Sequence, residues 1–247
     1  KLTCPHSPAI LFLPLLIRGW KEVSSLGQRG WISVLWISIF GGVLGTFFYT
    51  KALSYVNYID LSVVVLLQKL QPIFAIALAG VILKEKITKQ FIILAFAAIV
   101  GGYLVTFGSS SINDWDDKTI IAALLALLAA FSWGSSTVLG KHALNRLSFT
   151  TVTSLRLAIT ASVTAFVLLS TGQYDAINNM TLSHWGFIVL IVLSTGSLAL
   201  FFYYYGLNKL PASHATLYEL FWPLSAVGLD WFIRGNILSL PQCVGAI

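Results

Sequence analysis

The chain has 247 residues, of which 57% are hydrophobic and only 10% charged, and its formal net charge is +6. A soluble domain carries about 25% charged residues, so the composition leaves almost no room for one. The basic residues form no stripe that could track nucleic acid; they fall in short segments between apolar runs.

Those runs recur at close to the length that crosses a bilayer, about 17 to 25 residues. In chain order they predict helices over roughly residues 8–18, 31–54, 60–83, 89–107, 119–141, 149–171, 184–207, 212–233 and 240–247. Barrel strands alternate apolar and polar residues, and "IIAALLALLAAF" does not. The class is therefore all-α, a polytopic membrane helix bundle. The first segment, "SPAILFLPLLI", is followed by "RGWKE" with no small-residue cleavage site, so it reads as the tail of a membrane helix rather than a signal peptide. The chain stops inside the apolar segment "QCVGAI", and both ends are expected to be cut.

The segments between helices set the orientation. One set carries Arg18, Lys21 and Arg29, then Lys84, Lys86 and Lys89, then Lys141 and Arg146, then Lys209; the other carries only Lys51, Lys118 and Arg234, with the acidic stretches "NDWDDK" and "GQYDAINNM". Cytoplasmic segments are enriched in Lys and Arg, which puts the first set inside. Trp20, Trp31, Trp115 and Trp185 fall near span ends, where aromatic belts are expected. Cys4 and Cys243 make no CxxC pair and have no histidine at ligand spacing, so they read as small apolar residues and imply no metal. "NMT" at Asn179 matches a glycosylation acceptor, a pattern short enough to arise by chance.

Two stretches resemble each other: "KALSYVNYIDLSVVVLLQKLQPIFAIALAGVILKEKIT" and "YGLNKLPASHATLYELFWPLSAVGLDWFIRGNILS". Aligning Leu53 with Leu207 and Pro72 with Pro223 needs one short gap, and Ile82 then meets Ile233 and Thr88 meets Ser239. Five helices separate the equivalents. An odd separation reverses direction in the membrane, so the expectation is a pair of inverted repeats, a plan common among secondary transporters.

Lys69 lies about midway along its span in "LLQKLQP", where a lysine costs roughly 2.5 to 3.5 kcal/mol on insertion scales. Proline cannot donate to the carbonyl four residues back, so Pro72 frees that of Gln68 and Pro223 that of Glu219. At about 100° per residue, Gln68, Lys69, Gln71 and Pro72 share an arc of roughly 160°, and His214, Tyr218, Glu219 and Trp222 one of roughly 140°. Freed backbone and polar side chains at one depth need protein or water partners, which predicts a central wet cavity. Lys69 and Glu219 carry two readings, a pair that only closes the bundle or a substrate and proton site; ionisable residues inside a membrane favour the second by default.

Other polar positions stay open. Arg156 is a substrate ligand or reaches the cytoplasmic boundary. His214 reads as an interfacial structural histidine before a proton carrier. Asp230 is expected to reach water, and Asp60 to cap its helix. The glycines of "GGVLGT" and "VGGY" are expected to let helices approach closely.

The chain resembles the EamA-like branch of the drug/metabolite transporter superfamily. The resemblance rests on "ALSY", the polar turn before Pro72, "LKEKIT", "GLNKLPASHATLYELFWP", and "SWGSSTVLGK" with "SLRLAI". It covers nearly the whole chain and implies ten helices in two repeats. Residues 1–108 would form the first repeat, lacking the first helix and part of the second, and residues 119–247 the second repeat, lacking most of the last helix. The chain departs from the pattern where Asn236 stands opposite Glu85, and at Gln71 and Trp222, where the family often has glutamate before the proline. Glu85 itself reads as a residue that bonds helix ends and loops.

The function expected is alternating access for a small metabolite, amino acid or drug-like solute, in the inner (plasma) membrane of a bacterium. Lys69 would hold an anionic group, Gln68 and Gln71 would supply amide bonds, Glu219 would take a proton or other coupling ion, and Tyr218 and Trp222 would pack on the solute. The chain has no GxxxxGK[ST] loop, no HExxH and no GxSxG, so neither ATP hydrolysis nor another enzymatic activity is expected, and no cofactor is called for. A non-transporting scaffold or receptor is the alternative, and a homodimer is compatible with everything above.

Overall fold

The computed structural model describes residues 12, 14–55, 61–107, 117–172, 181–234 and 240–246. Every regular element among them is helical: α1 (Trp20–Ser24), α2 (Gln28–Leu53), α3 (Leu61–Gln68), α4 (Gln71–Leu83), α5 (Lys89–Phe107), α6 (Asp117–Leu144), α7 (Phe149–Thr171), α8 (Leu182–Lys209), α9 (Ala212–Tyr218), α10 (Phe221–Arg234) and α11 (Leu240–Ala246). Four helices among the described residues are long and apolar enough to cross a membrane: Gln28–Leu53, Ile120–Leu144, Phe149–Thr171 and Leu182–Lys209. The protein is an all-α polytopic bundle. Apolar side chains such as Ile93 and Phe96 on α5 stay exposed, as they must where the surrounding solvent is lipid.

Two predicted spans come out differently. Residues 60–83 and 212–233 read as single helices in the sequence, yet each is broken: α3 stops at Gln68 and α4 starts at Gln71, while α9 stops at Tyr218 and α10 starts at Phe221. At the first break the Leu70 N–H donates to Leu67 O at 3.2 Å, and the Ile73 N–H to Leu70 O at 3.0 Å. At the second, the Leu220 N–H donates to Leu217 O at 3.0 Å, and the Trp222 N–H to Glu219 O at 3.2 Å. The tighter i→i−3 pattern carries the chain past each proline, which has no N–H to give.

Contacts divide the chain into two compact units, one of Lys1–Leu44 with Leu139–Leu210, the other of Gly45–Val138 with Pro211–Ile247. In the first, side-chain caps hold the helix ends. Ser148 starts α7 by accepting from the Thr151 N–H, and the Glu22 carboxylate accepts from Ser148 N at 2.8 Å and Ser148 Oγ at 2.9 Å. Burial works against the Glu22 charge, but the bonds from Ser148 and Thr151 prevail and hold its carboxyl below the usual glutamate value. Lys141 Nζ donates to Leu207 O and Asn208 O, both at 2.9 Å, at the C-terminal end of α8, where a cation also suits the helix dipole. A wide π segment at Ile39–Leu44 interrupts α2, and there Ser38 O accepts from Thr160 Oγ1 of α7 at 3.0 Å.

The second unit packs on small residues. Ala52, Val64, Ala122 and Ala126 form a fully buried cluster flanked by Tyr49 and Leu67. Gly134 of α6 lies against the start of α4: a Cβ placed there would stand 2.7 Å from Gln71 O and 3.2 Å from Ala75 N, which only glycine permits. Glu85 follows α4 and caps α9, accepting from Ala212 N at 2.7 Å, Ser213 N at 3.1 Å and Ser213 Oγ at 2.5 Å.

Asp60, Trp115, Asn179, Asn236 and Cys4, most of the segments 109–118 and 173–183, and the side chains of Val63, Pro223 and Asp230 lie outside what is described.

Candidate functional site

Both helix breaks open onto one cavity of about 410 Å³ within the second unit. Gln68, Lys69, Gln71 and Pro72 line it from the first break, and Thr216, Glu219, Leu220 and Trp222 from the second; Tyr49 of α2 and Trp133 of α6 complete the wall. A ligand pocket for a small organic molecule spans about 300 to 1,000 Å³, mostly apolar with a few placed polar groups. This cavity has that size and character.

The polar groups form a directed chain. Gln68 Nε2 donates to Gln71 Oε1 at 3.3 Å, and Gln71 Nε2 donates to Glu219 Oε2. An ionised carboxylate is acceptor-only, so it ends such a chain naturally. Gln71 and Thr216 are buried, while Lys69 and Glu219 are partly buried. The Lys69 ammonium sits 4.1 Å from the centroid of the Trp222 ring, within coulombic reach of the Glu219 carboxylate. A cation over an indole face is worth about 0.5 to 2 kcal/mol, more when desolvated, so this contact holds the lysine against the wall. The rings of Tyr49 and Trp133 pack at 54° to each other with centroids 5.5 Å apart.

Of the residues singled out in the sequence, Gln68, Lys69, Gln71, Pro72, Glu219 and Trp222 meet at this cavity. Tyr218 is 66% exposed and lines no part of it. His214 is exposed too, and its ring packs on Phe91 at 4.8 Å between centroids. Arg156 belongs to the first unit, where its Nη1 donates to the Tyr204 hydroxyl at 2.8 Å. Tyr49, Trp133 and Thr216 were not singled out. Trp133 had a signal, because "FSWGSSTV" puts an indole and a run of hydroxyls in an otherwise apolar helix. Tyr49 and Thr216 had none beyond being polar atoms inside membrane spans. Among the described residues, no group of three His, Cys, Asp or Glu is placed to hold a metal ion.

Comparison with known proteins adds a family and several relatives. The family model described as "EamA-like transporter family" matches residues 7–107 and 120–247. A protein named riboflavin transporter ImpX, from Fusobacterium nucleatum subsp. nucleatum, is 39% identical over 98% of this chain and 85% of its own length. A riboflavin transporter of Brucella anthropi is 23% identical over 74% of this chain and 60% of its own. YyaM of Bacillus subtilis, named an uncharacterized transporter, is 25% identical over 83% and 68%. One solved crystal structure superposes with a TM-score of 0.67 at 14% identity, covering 98% of this chain and 91% of the other; at that identity the likeness concerns the fold.

Proposed function

Because this chain belongs to the EamA-like transporter family, and is thus a multi-pass membrane transporter, we propose that it moves a planar heteroaromatic metabolite of the riboflavin type across a bacterial plasma membrane, binding it in the cavity between the two helix breaks. One observation carries the reading. Two broken helices present Lys69 and Glu219 to the same cavity, with Gln71 bonded to Glu219 and Lys69 seated on Trp222. Discontinuous helices of this kind commonly form the solute site in secondary transporters.

The lining suits such a solute. A flavin ring has two π faces and an edge of carbonyl, imide N–H and ring nitrogen acceptors. Trp222, Trp133 and Tyr49 offer aromatic surface, Gln68 and Gln71 offer amides that both donate and accept, and the Lys69 ammonium donates to a carbonyl. The names of two relatives support riboflavin itself. The similarity between the stretches around Pro72 and Pro223 supports two inverted repeats that rock about this site to alternate access. Glu219 is the group that exchanges a proton with the cycle.

Labelled riboflavin counterflow in proteoliposomes holding the protein is the test. Accumulation driven by unlabelled riboflavin inside, and lost when Gln71 is changed to leucine, is the expected result. No accumulation of riboflavin would remove it as the solute. Binding without counterflow would favour a non-transporting receptor.

A further inference from the structure

Thr216 departs from the habit of most helical hydroxyls among the described residues. Inside a helix, Ser and Thr ordinarily bond back to the carbonyl one turn earlier. Thr153 Oγ1 does so to Phe149 O at 2.7 Å, Thr164 Oγ1 to Thr160 O at 2.8 Å, and Ser132 Oγ to Leu128 O at 2.7 Å. Thr216 is fully buried, lines the cavity, and its Oγ1 has no hydrogen-bond partner among the described residues. Ser136 and Ser197 also keep buried hydroxyls unbonded, but neither lines the cavity.

A buried hydroxyl without a partner costs about 1 to 3 kcal/mol, and native structures seldom leave one so without a reason. The position of Thr216 supplies the reason. Three residues before Glu219, it lies on the same side of the helix as that carboxylate, one turn away. Thr216, Glu219 and Gln71 all line the one cavity, together with Trp222 and Trp133.

We propose that the Thr216 hydroxyl is a specificity-determining substrate contact, which bonds the polar edge of the heteroaromatic solute and selects against analogues lacking a partner at that edge. The inference rests on the solute reading above. The hydroxyl can donate or accept, so it suits an edge of carbonyls, ring nitrogens or imide N–H groups. A site that hydrogen-bonds a substrate group discriminates strongly against the analogue without it, because its own polar group is then left unpaired.

Thr216→Val keeps the shape and removes the hydroxyl; Thr216→Ser keeps the hydroxyl. Melting of the solute-free protein in detergent and riboflavin counterflow are measured for both variants and the wild type. The expected pattern is a Thr216→Val protein that melts at or above the wild-type temperature, has a KM raised about tenfold with kcat within about twofold, and a Thr216→Ser protein close to wild type. A Thr216→Val protein that melts several degrees lower would make the hydroxyl a structural bond and overturn the proposal. So would normal melting with unchanged KM. A wild-type protein that moves no riboflavin counts against the solute reading alone, whereas a lowered melting temperature of Thr216→Val overturns the Thr216 assignment whatever the solute.

Discussion

Gln71 donates a hydrogen bond to Glu219, and this contact joins the two helix breaks. Each residue is adjacent to a proline-induced interruption, and neither interruption is stable alone in hydrocarbon, where every freed backbone group needs a partner. The bond makes each break part of the other's environment. Lys69 completes the arrangement from the Trp222 face.

A first prediction separates structure from transport at Lys69 and Glu219. Removing one partner of a fully buried charged pair costs about 3 to 5 kcal/mol; Lys69 and Glu219 are partly buried, so Lys69→Met alone lowers the melting temperature by less than that figure implies. In the double variant Lys69→Met with Glu219→Gln, the new amide oxygen still accepts from Gln71, and folding recovers. The double variant inserts, stays monodisperse in detergent and does not transport. Glu219→Gln alone leaves transport, where it survives, independent of the proton gradient. Full transport by the double variant would reduce the two residues to a structural pair.

A second prediction concerns the approach of α6 to the first break. Gly134→Ala forces a Cβ against the Gln71 carbonyl, which belongs to backbone and cannot swing aside. Overpacking of this kind costs about 1 to 3 kcal/mol, and it should also weaken solute binding by moving Gln71. Gly186→Ala is the control, since nothing lies within 4 Å of its Cβ position. Equal melting of the two variants would contradict the close packing at Gly134.

The third prediction is a pH dependence at Glu22. Its folded value lies below the ordinary glutamate value of 4.5, because bonds from Ser148 and Thr151 outweigh the opposing effect of burial. A carboxyl lowered on folding contributes stability above its unfolded value and loses that contribution as pH falls through the folded value. Melting of the wild type should therefore fall relative to Glu22→Gln only below about pH 4.5, and the difference should be constant above about pH 6. A difference that grows with rising pH would have the wrong sign for this assignment.

Much of the fold was legible because a membrane helix announces itself by length and composition. The spans around Ile120–Leu144, Phe149–Thr171 and Leu182–Lys209 needed nothing more. The breaks were harder. Pro72 marks a missing donor, but a proline inside a membrane helix can be absorbed as a kink; only packing against Gly134 and the bond to Glu219 decides for two separate helices. The charged and amide residues at the cavity were visible because each is costly in hydrocarbon and so calls for a reason. Tyr218 is exposed on α9 as His214 is, and the arc that joined it to Trp222 ran across the break that follows it. Thr216 and Tyr49 were silent because a hydroxyl in a helix usually satisfies itself, and only the folded chain distinguishes the one that does not.

The central claim is that the cavity at the helix breaks is the solute site, and site-directed alkylation tests it most directly. In a background with Cys4→Ser and Cys243→Ser, Gln68→Cys is treated with a small water-soluble thiol reagent in proteoliposomes, with and without riboflavin. Modification should proceed without solute and slow severalfold at riboflavin concentrations that saturate transport. A position on the exposed face of α5, Ile93→Cys, should show no such protection. Modification of Gln68→Cys at the same rate with saturating riboflavin, in a variant that still transports it, would place the solute elsewhere.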